Sequence, residues 1–135
     1  MRRLLFAACL AMAGCGMKAP PVAVDPNAPP PAIEDFSWSH EKTAVRFVFR
    51  LTGGAGGVGY EIDRARIDPV CRCPTMWRRY FEQVPSASLR GKKIVRLLKL
   101  RKQGVVYLFR IRAVDAEGRF GRWIGPIRAE AEVDE

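Results

Sequence analysis

Residues Val105–Arg122 read VVYLFRIRAVDAEGRFGR. Tyr107, Phe109, Ile111 and Ala113 alternate with Leu108, Arg110, Arg112 and Val114. Successive side chains of a strand point to opposite faces, so this period of two predicts a strand that buries one face. Asp115-Ala116-Glu117-Gly118 and then Gly121 supply the turn that ends it.

Six further stretches read the same way: Ile33–Ser39, Thr43–Leu51, Tyr60–Ile67, Met76–Val84, Lys92–Arg101 and Ile124–Val133. In the second, Val45, Phe47, Phe49 and Leu51 point inward and Arg46 and Arg50 outward. In Lys92–Arg101 the even positions (Ile94, Arg96, Leu98, Leu100) are the more apolar and face the core. The composition, with 12 Gly and 10 Pro and 48% apolar residues, suits turns and strands around one core. Short strands at this spacing, without an amphipathic helix, predict an all-β sandwich of seven strands. Gly54, Gly56 and Gly59 spell G-x-G-x-x-G, but a dinucleotide fingerprint needs a helix N-terminus behind it. Behind these glycines stands the alternating stretch from Tyr60, so they read as a flexible loop.

Gly59-Tyr60-Glu61-Ile62-Asp63-Arg64 resembles the C strand of fibronectin type III and immunoglobulin-like sandwiches, and Leu100…Gly104…Tyr107 resembles their approach to the F strand. The resemblance covers roughly residues 32–133. It implies strands A, B and E in one sheet and C, F and G in the other. It also implies a tyrosine corner, in which the Tyr107 hydroxyl bonds back to the preceding loop. Phe49 stands where that family usually has Trp, and Trp38 is expected to fill part of the space. Arg110 and Arg112 are expected between Glu61 and Asp63 on one neighbour and Glu130 and Glu132 on the other.

The chain opens MRRLLFAACLAMAGC. Arg2 and Arg3 precede an apolar run, Leu4–Ala13, that is too short to span a bilayer. Ala13 and Gly14 then precede Cys15. This resembles a bacterial lipoprotein signal, with Met12 where an aliphatic residue is usual. The resemblance implies a signal peptide over 1–14 and diacylglycerol, with palmitate-type acyl chains, on Cys15. Gly16–Pro31 has too little apolar surface to fold, and its prolines stiffen it toward polyproline II. At ~3.1 Å per residue such a spacer reaches roughly 50 Å. Residues 15–31 therefore read as a lipidated tether and 32–133 as the domain it carries. Gly16 and Met17 lack the Asp that resembles an inner-membrane retention signal, which points to the outer membrane of a cell envelope.

The chain carries 23 Lys and Arg against 14 Asp and Glu. Only two of the basic residues fall in the leader, so the exported part stays strongly basic. An envelope location excludes chromosomal nucleic acid and directs this charge to anionic lipids, glycans or protein partners. Arg46 and Arg50, with Lys93, Lys99 and Arg101, are expected on one face of the A–B–E sheet, offset only by Glu34, Asp35 and Glu41. That face is the candidate anion-docking surface. Trp77, Arg79 and Tyr80 combine aromatic and cationic side chains and form a second candidate contact set.

Without Cys9 and Cys15, the cysteines are Cys71 and Cys73. In an oxidising compartment they are a disulfide candidate. The alternatives are free or partner-paired thiols and a thiol-redox role. Two thiolates and the lone His40 do not make four tetrahedral zinc ligands, and no cofactor motif is present. His40 reads as a solvated turn residue. No nucleophile or carboxylate pair has the spacing of a catalytic motif. The sequence thus reads as a non-enzymatic, membrane-anchored binding or scaffolding module, with a disulfide-active envelope protein as the alternative.

Overall fold

The structure, a computed structural model, describes residues 25–131. Cys15, the leader and most of the tether lie outside the described residues, as do Glu132 and Val133. The strands are β1 (Ala32–Glu41), β2 (Ala44–Thr52), β3 (Val58–Arg66), β4 (Arg78–Ser86), β5 (Lys93–Lys99), β6 (Val106–Asp115) and β7 (Ile124–Glu130). They form two antiparallel sheets, of three strands in the order β1-β2-β5 and of four in the order β4-β3-β6-β7. This is the expected seven-stranded sandwich, with C, F and G of the anticipated topology as neighbours in one sheet.

The core follows from the alternation. Val45, Phe47, Phe49 and Leu51 of β2 are completely buried, and Ile62, Phe109, Ile111 and Leu98 join them in one buried cluster. The even register of β5 faces inward as expected, which leaves Val95 47% and Leu97 49% exposed on the outside. Edge-on ring pairs tie the core together: Phe36 on Phe47 at 5.1 Å, Phe49 on Tyr60 at 5.0 Å, and Tyr80 on Phe109 at 5.7 Å. Such pairs add about 0.5–1.5 kcal/mol each beyond their burial.

Three local expectations change. Trp38 does not fill the core, being 48% exposed. The β1–β2 register shifts between Glu34 and Ser37, where Asp35 has φ 51°, and this bulge delivers Phe36 to Phe47 instead. The Tyr107 ring is buried, but its hydroxyl has no hydrogen-bond partner among the described residues. Tyr80 makes the polar tie, its hydroxyl accepting from the Lys99 amide at 3.2 Å and so joining the two sheets. Finally, β6 buries both faces: Leu108 and Val114 of the outer row are each only 8% exposed.

The loop of glycines, 53–57, leads into a strand and not a helix. Its glycines answer a packing need. A Cβ on Gly53 would overlap the Pro30 carbonyl oxygen, and one on Gly121 would overlap that of Pro31. The Gly54 amide donates to the Pro29 carbonyl at 3.0 Å. Arg119 completes this seat, reaching the carbonyls of Ala28 and Pro29 while its Nε donates to Asp115 at 2.6 Å. The end of the proline segment is therefore held against the sandwich.

Candidate binding surfaces

The outer face of the β1-β2-β5 sheet is organised by register. Arg50 lies opposite Lys93, Val48 opposite Val95, Arg46 opposite Leu97 and Ala44 opposite Lys99. Like charges directly opposed across strands repel, so the Arg50–Lys93 pair needs an offset. Acids of β1 supply part of it: Glu41 accepts from Arg46 at 2.6 Å, and Asp35 lies 3.3 Å from Arg50. These side chains are about half exposed or more, so each pair contributes little, about 0–1 kcal/mol. Lys93 and Lys99 have no acidic partner among the described residues. Together with exposed Arg101, just past the strand, they frame the apolar pair Val95 and Leu97 along an unpaired sheet edge. Edge lysines also discourage unwanted strand pairing.

The outer face of the other sheet is a closed lattice. Glu61 and Asp63 of β3 are each 7% exposed. Arg112 meets Glu61 at 2.8 Å, Arg110 meets Asp63 at 3.0 Å, and Arg79 spans both, at 2.6 Å and 2.7 Å. Burial would lower the Arg79 pKa, but its hydrogen bonds to Glu61 and Asp63 outweigh this and raise it. Aromatic rings interleave the arginines. Arg110 lies 4.5 Å from Trp77 and 4.1 Å from Trp123, and Arg112 lies 4.4 Å from Trp123 and 3.7 Å from Phe120. The expected partners Glu130 and Glu132 are not part of it: Glu130 pairs with Val106, four residues along β6 from Arg110, and Glu132 lies outside the described residues.

Of the second candidate set, Trp77 and Arg79 thus sit together in this lattice. Tyr80 does not join them: it is the extra residue of a bulge between the Ile62–Phe81 and Asp63–Arg79 pairs and turns inward onto Phe109. Trp123 and Phe120 belong to the lattice without having been expected there. The signal available was arithmetic: two arginines two residues apart on an outer face match two rings three residues apart in RFGRW.

The third feature lies where β3 and β4 meet the 67–77 loop. Cys71 and Cys73 are joined as a disulfide, with Cα atoms 5.2 Å apart. Asp68 organises the loop, its Oδ1 accepting from the amides of Val70 and Cys71. The loop walls a cleft of about 450 Å³ that Arg64, Arg66 and Arg78 line with Met76 and Val105. His40, by contrast, reaches across the sandwich edge to the Glu130 carbonyl at 2.6 Å. No group of three His, Cys, Asp or Glu placed to hold a metal occurs among the described residues, and no described helix is long and apolar enough to cross a membrane.

No family model matches the chain, and no curated protein matches it. A solved structure described as "Myokine structure" is similar over 76% of this chain and 98% of its own, at 14% identity and a TM-score of 0.51. At that identity the likeness shows the fold alone: an all-β sandwich of two antiparallel sheets.

Proposed function

We propose that this protein is a lipid-anchored module of a bacterial cell envelope, which presents its sandwich to an anionic membrane surface through the outer face of β5. The supporting observation is the combination on one edge strand: Val95 and Leu97, each about half exposed, flanked by Lys93 and Lys99 without acidic partners among the described residues. Apolar side chains that enter the headgroup region and lysines that meet anionic headgroups are the two terms of peripheral membrane binding. Arg101 extends the cationic border, and Arg46 and Arg50 lie behind it, already engaged by Glu41 and Asp35. The lipidation reading of Cys15 and the proline spacer support the same picture, since an anchored domain meets a bilayer at high effective concentration. The outer membrane is the favoured location, and the module works by binding and scaffolding, not by chemistry.

Cell fractionation tests the anchor. Cys15→Ser is expected to leave an uncleaved or aqueous-phase protein that no longer partitions into detergent, because the diacyl group supplies the firm attachment. A variant that still fractionates with the detergent phase would overturn the lipoprotein reading.

A further inference from the structure

Arg64 and Arg78 are directly opposed partners in the β3–β4 ladder, and Arg66 lies two residues beyond Arg64, on the same side of β3. All three line the cleft behind the disulfide loop. In the lattice on the outer face of this sheet, Arg79, Arg110 and Arg112 each have a carboxylate. In the cleft none of the three arginines has one among the described residues. The acid in its wall, Asp68, turns one carboxylate oxygen to the loop amides of Val70 and Cys71. Arg64 is also held in place, its guanidinium 4.9 Å from the Tyr80 ring and 5.2 Å from the Tyr107 ring. A guanidinium packed against two rings keeps its N–H edge available while its faces are covered.

Opposed like charges on a ladder are unfavourable, and a sheet whose outer lattice is neutralised so thoroughly leaves this cluster uncompensated. We infer that the cleft is an anion-binding site for a phosphoryl group, held by Arg64, Arg66 and Arg78. Planar guanidinium forks match phosphate oxygens in pairs, and three of them supply charge for a dianion. Met76, 77% exposed at the rim, and Val105 give the site an apolar side, which suits a phosphoryl group carried on a hydrocarbon body. The same chemistry is offered by a free phosphate or by a lipid headgroup, and the two are separable by experiment. This site is independent of the β5 face: it uses neither Lys93 nor Lys99, so either can fail without the other.

Titration calorimetry on the full chain, held in phosphatidylcholine nanodiscs, tests it with two probes, inorganic pyrophosphate and dihexanoyl phosphatidic acid. Saturable binding of either at one site per chain is expected, with pyrophosphate alone marking a free phosphate and tighter phosphatidic acid marking a headgroup. Arg66→Gln with Arg78→Gln should weaken binding about tenfold or more, as loss of charge-assisted hydrogen bonds does. The pair Arg122→Gln with Arg128→Gln removes the same charge elsewhere and should change it less than about threefold, a long-range charge effect only. Arg66 and Arg78 are exposed, so the double variant is expected to fold, and without ligand its melting temperature should equal or exceed that of the parent because the opposed charges are relieved. No saturable binding of either probe, or equal weakening by both double variants, would overturn the proposal.

Discussion

The guanidinium of Arg110 lies 4.1 Å from the ring of Trp123 while its Nη2 donates to Asp63 at 3.0 Å. One side chain therefore closes a charge network and carries an aromatic cover. The relation explains why β6 is buried on both faces although its outer row contains two arginines: the rings of Trp77, Trp123 and Phe120 cover what the carboxylates neutralise.

Arg79→Ala should therefore destabilise the fold. It leaves Glu61 and Asp63, with side chains 9% and 10% exposed, each short of one partner. Removing one member of a buried pair costs about 3–5 kcal/mol, but Arg79 is 37% exposed and solvent screens it, so about 1–3 kcal/mol is expected. Urea melts measure this, and a change below about 0.5 kcal/mol would make the lattice a surface ornament without energetic weight.

Tyr80, and not Tyr107 as the sequence suggests, should carry the stabilising hydroxyl. Tyr107→Phe removes a hydroxyl that has no partner among the described residues and should shift stability by less than about 0.5 kcal/mol. Tyr80→Phe removes the bond to the Lys99 amide and should cost about 1 kcal/mol. Tyr107→Ala should cost roughly 3–5 kcal/mol through the cavity it opens. Denaturant melts of the three variants check the order, and a larger loss for Tyr107→Phe than for Tyr80→Phe would restore the tyrosine corner.

Asp115 has a fully buried side chain, and Arg119 is its ionic partner. Arg119→Ala should destabilise by about 3–5 kcal/mol, because the carboxylate stays buried without its cation. It should also release the proline segment from its seat. Amide hydrogen exchange at Gly54, which donates to the Pro29 carbonyl, reports that release directly. Unchanged Gly54 exchange in a folded Arg119→Ala variant would mean that the glycine loop alone holds the prolines.

The sheets are legible in the sequence because period-two alternation is a local property: Phe47, Phe49, Ile62, Phe109 and Ile111 all fall where the alternation puts them. The sites are less so. The bulges that send Phe36 and Tyr80 inward and Trp38 toward solvent are register events, set by pairing with β2 and β3 and invisible in either strand alone. The opposition of Arg64 and Arg78 is likewise a cross-strand relation between residues 14 apart. The match of Arg110 and Arg112 to Asp63 and Glu61 can be read in advance, since neighbouring strands come with the topology. Trp123 escapes because it precedes β7 in a segment without regular alternation.

The proposed docking of the domain on an anionic bilayer through β5 predicts salt-sensitive binding to anionic vesicles. Flotation of residues 16–135, which carry no acyl chain that would hold every variant on the vesicles, with phosphatidylglycerol and phosphatidylcholine vesicles tests it across a salt series. Lys93→Glu with Lys99→Glu should reduce binding at low salt by about tenfold or more, since each basic residue near such a surface contributes about 1 kcal/mol. It should also flatten the salt dependence, while Arg122→Glu with Arg128→Glu, the same charge change elsewhere, should have a clearly smaller effect. Equal loss from both pairs, or vesicle binding that ignores Lys93 and Lys99, would rule out docking through β5.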